Sequence, residues 1–139
     1  SWLTDQDGTR LRPLSVETGF WSLDRERTDA DVGPGLDPAD VVPAYKSASE
    51  VEELVNEDGS YPITATISHP GSITELYRGR VKGPQLQIVT DAVLRGERAA
   101  EYPGATRMFG LVNDQLFWRW DVQDGEGLKA HASAILERV

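Results

Sequence analysis

Two histidines, His69 and His131, are the only imidazoles in a chain of 139 residues that has no cysteine. Any imidazole chemistry, whether proton transfer or metal ligation, must therefore use one of them or both. The lack of cysteine removes disulfide frameworks, thiolate nucleophiles, Cys-based zinc sites, iron–sulfur clusters and thiolate ligation of haem. No Gly-x-Ser-x-Gly elbow is present. Gly33 and Gly35 stand among aspartates that would repel a phosphate. Asp121, Asp124 and Glu126 read as a solvated turn, and Phe117, Trp118 and Trp120, close together on one strand, read as core and rim packing. His131 lies in Leu128-Lys129-Ala130-His131-Ala132-Ser133-Ala134, where small alanines leave open space around the ring. Locally it reads either as a hydrogen-bonded surface histidine or as a neutral imidazole on a barrel wall, facing a large planar cofactor. His69 precedes Pro70 in a turn and reads by itself as a loop residue.

The elements that must position these side chains read as β. Segments 14–23, 61–68, 73–81, 85–94, 107–112 and 115–122 carry β-branched and aromatic residues or alternate apolar with polar ones. Turn signals separate several of them: His69-Pro70-Gly71-Ser72, Gly83-Pro84 and the two-residue Asn113-Asp114. Segment 128–139 is alanine-rich enough for a helix, but its place after a run of hairpins predicts a closing strand. Short strands at regular spacing predict an all-β, antiparallel sandwich or barrel.

The formal charge of −9 is concentrated. Residues 24–60 hold eleven acidic and three basic side chains, while the other 102 residues are nearly neutral. One acidic insertion therefore interrupts a neutral body in a chain read as a single domain over 1–139. Within it, 29–43 reads as a loop. Residues 49–56 read as a short helix, with Ser49 as N-cap, Glu52 three residues on, and Val51, Leu54 and Val55 on one face. The acidic balance argues against nucleic acid and against anionic membrane surfaces as partners. With no apolar run of spanning length and nothing like a signal peptide, the expected location is cytoplasmic.

A family resemblance orders these observations. Ser1-Trp2-Leu3-Thr4-Asp5-Gln6-Asp7-Gly8, Leu11-Arg12-Pro13-Leu14, Glu17-Thr18-Gly19-Phe20-Trp21, Ser68-His69-Pro70-Gly71, Glu75-Leu76-Tyr77-Arg78-Gly79, Arg107-Met108-Phe109-Gly110-Leu111-Val112 and the closing His131-Ala132-Ser133-Ala134-Ile135-Leu136-Glu137-Arg138-Val139 resemble, in order and spacing, the nitrobindins. These are haem-binding barrels similar to fatty-acid-binding proteins. The resemblance implies an up-and-down antiparallel barrel, ten-stranded in the family, that holds haem b at its mouth. It implies ferric iron on one histidine of the last strand, here His131, with an open opposite face. The implied chemistry is binding of nitric oxide and isomerisation of peroxynitrite to nitrate. Arg98 and Lys129 are candidates for the haem propionates, and the His69 turn is assigned to the wall on the open side. The family's Gly-x-Trp-x-Gly-x-Gly segment and first strands are absent here, so the chain is expected to be part of a longer protein. Two other readings stand beside this one. One is a haem-free barrel that carries or senses an apolar small molecule; the other makes the acidic helix a docking element for a basic protein. A homodimer is left open.

Overall fold

A computed structural model describes residues 2–31, 33–34 and 43–138. The chain runs β1 (Trp2–Thr4), β2 (Arg10–Pro13), β3 (Thr18–Leu23), α1 (Ala48–Glu52), β4 (Tyr61–His69), β5 (Ile73–Lys82), β6 (Gln85–Arg95), β7 (Ala105–Val112), β8 (Gln115–Asp124) and β9 (Gly127–Glu137). β1 and β2 form a separate hairpin, and β3 to β9 form a seven-stranded antiparallel meander in sequence order. The up-and-down order expected for the barrel is present. Among the described residues β3 and β9 are the two edges, and the sheet does not close.

Local sequence explains the turns. Asn113 and Asp114 both take positive φ, 50° and 63°, the backbone pattern of the tight hairpin turn that matches strand twist. Gly71 and Ser72 do the same after His69. The closing strand wins over the helix because β9 pairs with β8 along its length, from Asp124↔Gly127 to Gln115↔Glu137; cross-strand pairing overrides the helical preference of its alanines.

Alternation places one face of the meander inward. Ile63, Ala65, Ile67, Tyr77 and Ile88 form the buried core, with Leu23, Val81 and Leu86 packed against it. Gly79 lies between β4 and β6 where a Cβ would run into the Gln87 carbonyl oxygen, so only glycine permits that approach. Two register shifts break the ladder, one between Leu76 and Tyr77 and one between Trp120 and Asp121. At the second, Trp120 faces Ala132 and Asp121 faces Ala130, so His131 is the extra residue of a β-bulge.

Three expectations shift. The first long strand begins at Thr18 rather than residue 14, because 14–17 leaves the ladder and carries Glu17 toward β7. His69 is the last residue of β4, paired with Ile73, rather than a residue of the turn. The helix is capped by Ser47, whose side chain accepts from the Glu50 backbone N–H, not by Ser49; Glu50 in turn accepts from the Lys46 N–H. The loop expected over 29–43 lies partly outside the described residues. Its described start is tied by Arg25, which donates to both carboxylate oxygens of Asp31 at 2.6 and 2.7 Å.

Candidate functional site

The inward face carries more than apolar packing. β5 contributes Glu75, 0% exposed, in a row whose register neighbour is Ile67. β7 contributes Arg107, 1% exposed, beside Ile88. A buried charge must be paired, and both are. Arg107 donates through its two terminal nitrogens to the two oxygens of Glu17 at 2.7 and 2.8 Å, and through Nε to the Tyr77 hydroxyl at 3.1 Å. Glu75 Oε1 accepts from the Tyr102 hydroxyl at 2.8 Å and from Thr90 at 2.9 Å, and Oε2 lies 2.9 Å from His69 Nε2. The other nitrogen of His69 lies 3.8 Å from Glu17. One connected network thus spans the 14–17 segment, β4, β5, β6, the 96–104 connection and β7.

Electrostatics follow that arrangement. Burial would raise the Glu17 carboxyl, but the Arg107 hydrogen bonds and charge prevail and hold it below its ordinary value. Burial, reinforced by Glu75, pushes the Tyr77 hydroxyl up to about 12 and raises Tyr102 as well. For Arg107, burial opposes the charge, but hydrogen bonding to Glu17 outweighs it and the guanidinium is held more firmly protonated.

Trp120 is the hinge between this network and β9. The Arg107 guanidinium lies 4.3 Å from its ring centroid. The His69 ring stacks on it at 5.6 Å and 17°, and the His131 ring meets it at 4.5 Å and 73°. Aromatic pairs of such geometry add about 0.5–1.5 kcal/mol beyond the area they bury. Trp118 and Phe109 continue the aromatic row on the same face, while Phe117 points to the other.

The two histidines predicted from sequence are therefore brought to one indole, in opposite circumstances. His69 is half-buried, with both ring nitrogens facing carboxylates. His131 is exposed on the bulge, and it makes no hydrogen bond or ion pair among the described residues; its one partner is Trp120. Lys129, two residues away, pairs with Asp124 at 2.6 Å and Glu126 at 3.1 Å. Arg98 is exposed in the connection between β6 and β7 and joins neither histidine. Glu17, Glu75, Tyr77, Thr90, Tyr102 and Arg107 escaped the sequence reading as functional residues. Their signal was charge at inward positions of apolar strands, visible for Glu75 and Arg107 and invisible for Glu17, which lies outside any strand.

The residues fit an iron that brings its own equatorial nitrogens. Among the described residues no group of three His, Cys, Asp or Glu gathers to hold a bare metal. One free imidazole suits a porphyrin iron, which needs a single protein ligand. Beside that imidazole, Trp120 Nε1 is the one buried side-chain donor without a partner among the described residues. A buried N–H left unpaired costs about 1–3 kcal/mol, so unmet polar valence sits next to His131, on a face lined by indoles and alanines.

Comparison with known proteins gives a consistent picture. Residues 1–138 match the model of a THAP4-like, heme-binding beta-barrel domain. A protein of Pseudarthrobacter chlorophenolicus named peroxynitrite isomerase is 62% identical over all of this chain, which covers 71% of that relative. One from an Arthrobacter strain, with the same name, is 59% identical at the same coverage. A third so named, from Micrococcus luteus, is 64% identical, with 62% of its length covered.

Proposed function

The chain belongs to the THAP4-like, heme-binding β-barrel family, the nitrobindins, and from that premise we propose that it holds haem b through His131 and acts on peroxynitrite. The observation that carries this reading is the contrast between the two imidazoles. Among the described residues His69 is committed to carboxylates, Tyr77 accepts from Arg107 and Tyr102 donates to Glu75, while neither nitrogen of His131 has a hydrogen-bond or ion-pair partner. The single methionine, Met108, is paired with Arg119, on the other face from Trp120.

When bound, the haem would supply a ferric iron able to take nitric oxide or peroxynitrite. The chain supplies the rest. His131 would offer an imidazole nitrogen to the iron, and Trp120 and Trp118 would give the macrocycle an aromatic wall. Ala130, Ala132 and Ala134 keep the strand clear of bulky side chains. Arg107, locked to Glu17 and Tyr77, fixes a positive charge under the indole without exposing it to solvent. Isomerisation of peroxynitrite to nitrate rearranges atoms already in the substrate, so no protein nucleophile is needed. Arg98 and Lys129 are the cations proposed for the haem carboxylates. Lys129 would have to exchange its pairs with Asp124 and Glu126, and an exposed ion pair is weak enough to allow it.

The test is optical. Wild-type protein titrated with haem develops a Soret band at one haem per chain and accelerates nitrate formation from peroxynitrite; His131→Ala loses the ligated spectrum. Equal binding by the two proteins, or binding by neither, sinks the assignment. The haem-free carrier reading predicts the second result together with uptake of an apolar fluorescent probe.

A further inference from the structure

A metal-bound histidine ordinarily has its ring plane fixed by a hydrogen bond from its second nitrogen to a carboxylate or carbonyl, which also makes the ligand more basic. His131 makes no such bond among the described residues. It projects from a bulge, where the backbone ladder does not constrain it, between Ala130 and Ala132, whose side chains are too short to steer a ring. The contact it does make is with Trp120, at 4.5 Å and 73°.

Trp120 is unusually well anchored for that contact. It is 5% exposed. The Arg107 guanidinium and the His69 ring both pack against it. Those two groups are themselves tied down, Arg107 by Glu17 and Tyr77, His69 by Glu75. A rigid indole therefore meets an otherwise unrestrained imidazole. Edge-to-face packing has a preferred angle, so it orients the ring.

We propose that Trp120 is the positioning residue for His131, setting the plane of the imidazole by ring packing in place of an outer hydrogen bond. This rests on the reading of His131 as the iron ligand. Its consequence is a ligand ring whose plane is held through Glu17–Arg107–Trp120.

Resonance Raman spectroscopy of the reduced, haem-loaded protein reads the iron–histidine stretch directly. Wild type gives one narrow band, as expected of an imidazole held in a single plane. Trp120→Phe keeps that band, because a ring still packs there. Trp120→Leu binds haem but splits or broadens the band as the imidazole samples several planes. A Trp120→Leu band as narrow as wild type, and at the same position, overturns the proposal while leaving the ligand reading intact. Haem binding unchanged in His131→Ala overturns the ligand reading, and the positioning role falls with it. Should Trp120→Leu fail to fold, haem-free wild type and Trp120→Phe still decide by NMR. Ring-current shifts of the His131 ring protons away from free-histidine values in both support the fixed contact, and free-histidine values in wild type overturn it.

Discussion

At the scale of single residues, the geometry turns on what each charged or aromatic side chain has for a partner. Glu17 is the partner of a guanidinium that is 1% exposed. Glu17→Gln leaves that charge short of its counter-ion and should destabilise the protein by about 2 kcal/mol in urea melts. That is the low side for a broken buried pair, since Glu17 itself is one-third exposed and water can partly replace it. The same pair sets an acid limit. The folded-state pKa of Glu17 lies below its ordinary 4.5, so its contribution is fully present above that value and is lost as pH falls through the lower folded-state value. Wild type should therefore lose stability below pH 4.5 with a steeper slope than Glu17→Gln, measured as melting temperature against pH. Tyr77 works at the other end. Its pKa, raised to about 12 from 10, gives stability that is complete below pH 10 and declines as pH rises toward 12. Tyr77→Phe should flatten that alkaline loss. His131 belongs at this scale too, as the residue that the presence or absence of a Soret band judges.

The elements explain how these residues come to share one face. Hairpin connections of two residues fix the register of neighbouring strands, and a register slip of one residue would send every inward side chain outward. Asn113-Asp114 already pays the backbone strain of two positive φ values with non-glycine residues. Asp114→Gly should therefore raise the melting temperature by roughly 2–4 °C, the shift expected of a modest turn improvement. The reverse holds at Gly79, where an added Cβ would meet the Gln87 backbone. Gly79→Ala should cost about 2–3 kcal/mol and separate β5 from β6, visible as faster amide exchange along Arg78–Val81 and 86–89. The acidic helix is a smaller matter: five residues, capped by Ser47, with no buried residue.

Among the described residues the molecule combines the β1–β2 hairpin with a seven-stranded meander that has a core on its inward face and many exposed apolar side chains, Phe20 at 83% and Leu94 at 74% among them. The acidic insertion joins β3 to β4, neighbours that pair directly from Thr18↔Ser68 to Leu23↔Ile63. Replacing 33–43 with a short Gly-Ser bridge should leave the melting temperature within about 3 °C and haem uptake unchanged, because loop closure entropy grows only slowly with length. A large loss of stability would instead put that stretch in the core.

Sequence by itself determined the all-β class, the succession of strands from 61 onward, the tight Asn113-Asp114 turn and the reduction of the imidazole chemistry to two residues. Those features are written locally, in alternation, in turn residues and in counts. The family resemblance then pointed to His131 rather than His69, by matching its place in the closing motif. What decided the rest was register across strands far apart in the chain. Glu17 and Arg107 are separated by 90 positions and meet in a bidentate pair; no pattern within a window of ten residues records that. The bulge that frees His131 from the ladder is a property of two paired strands, not of the sequence of either. His69 looked like a loop residue because proline follows it, yet pairing with Ile73 makes it the last residue of a strand and turns its ring toward Glu75 and Trp120. Chemistry in this protein depends on which side chains are left without partners. That is settled only once the whole sheet has assigned partners to the others.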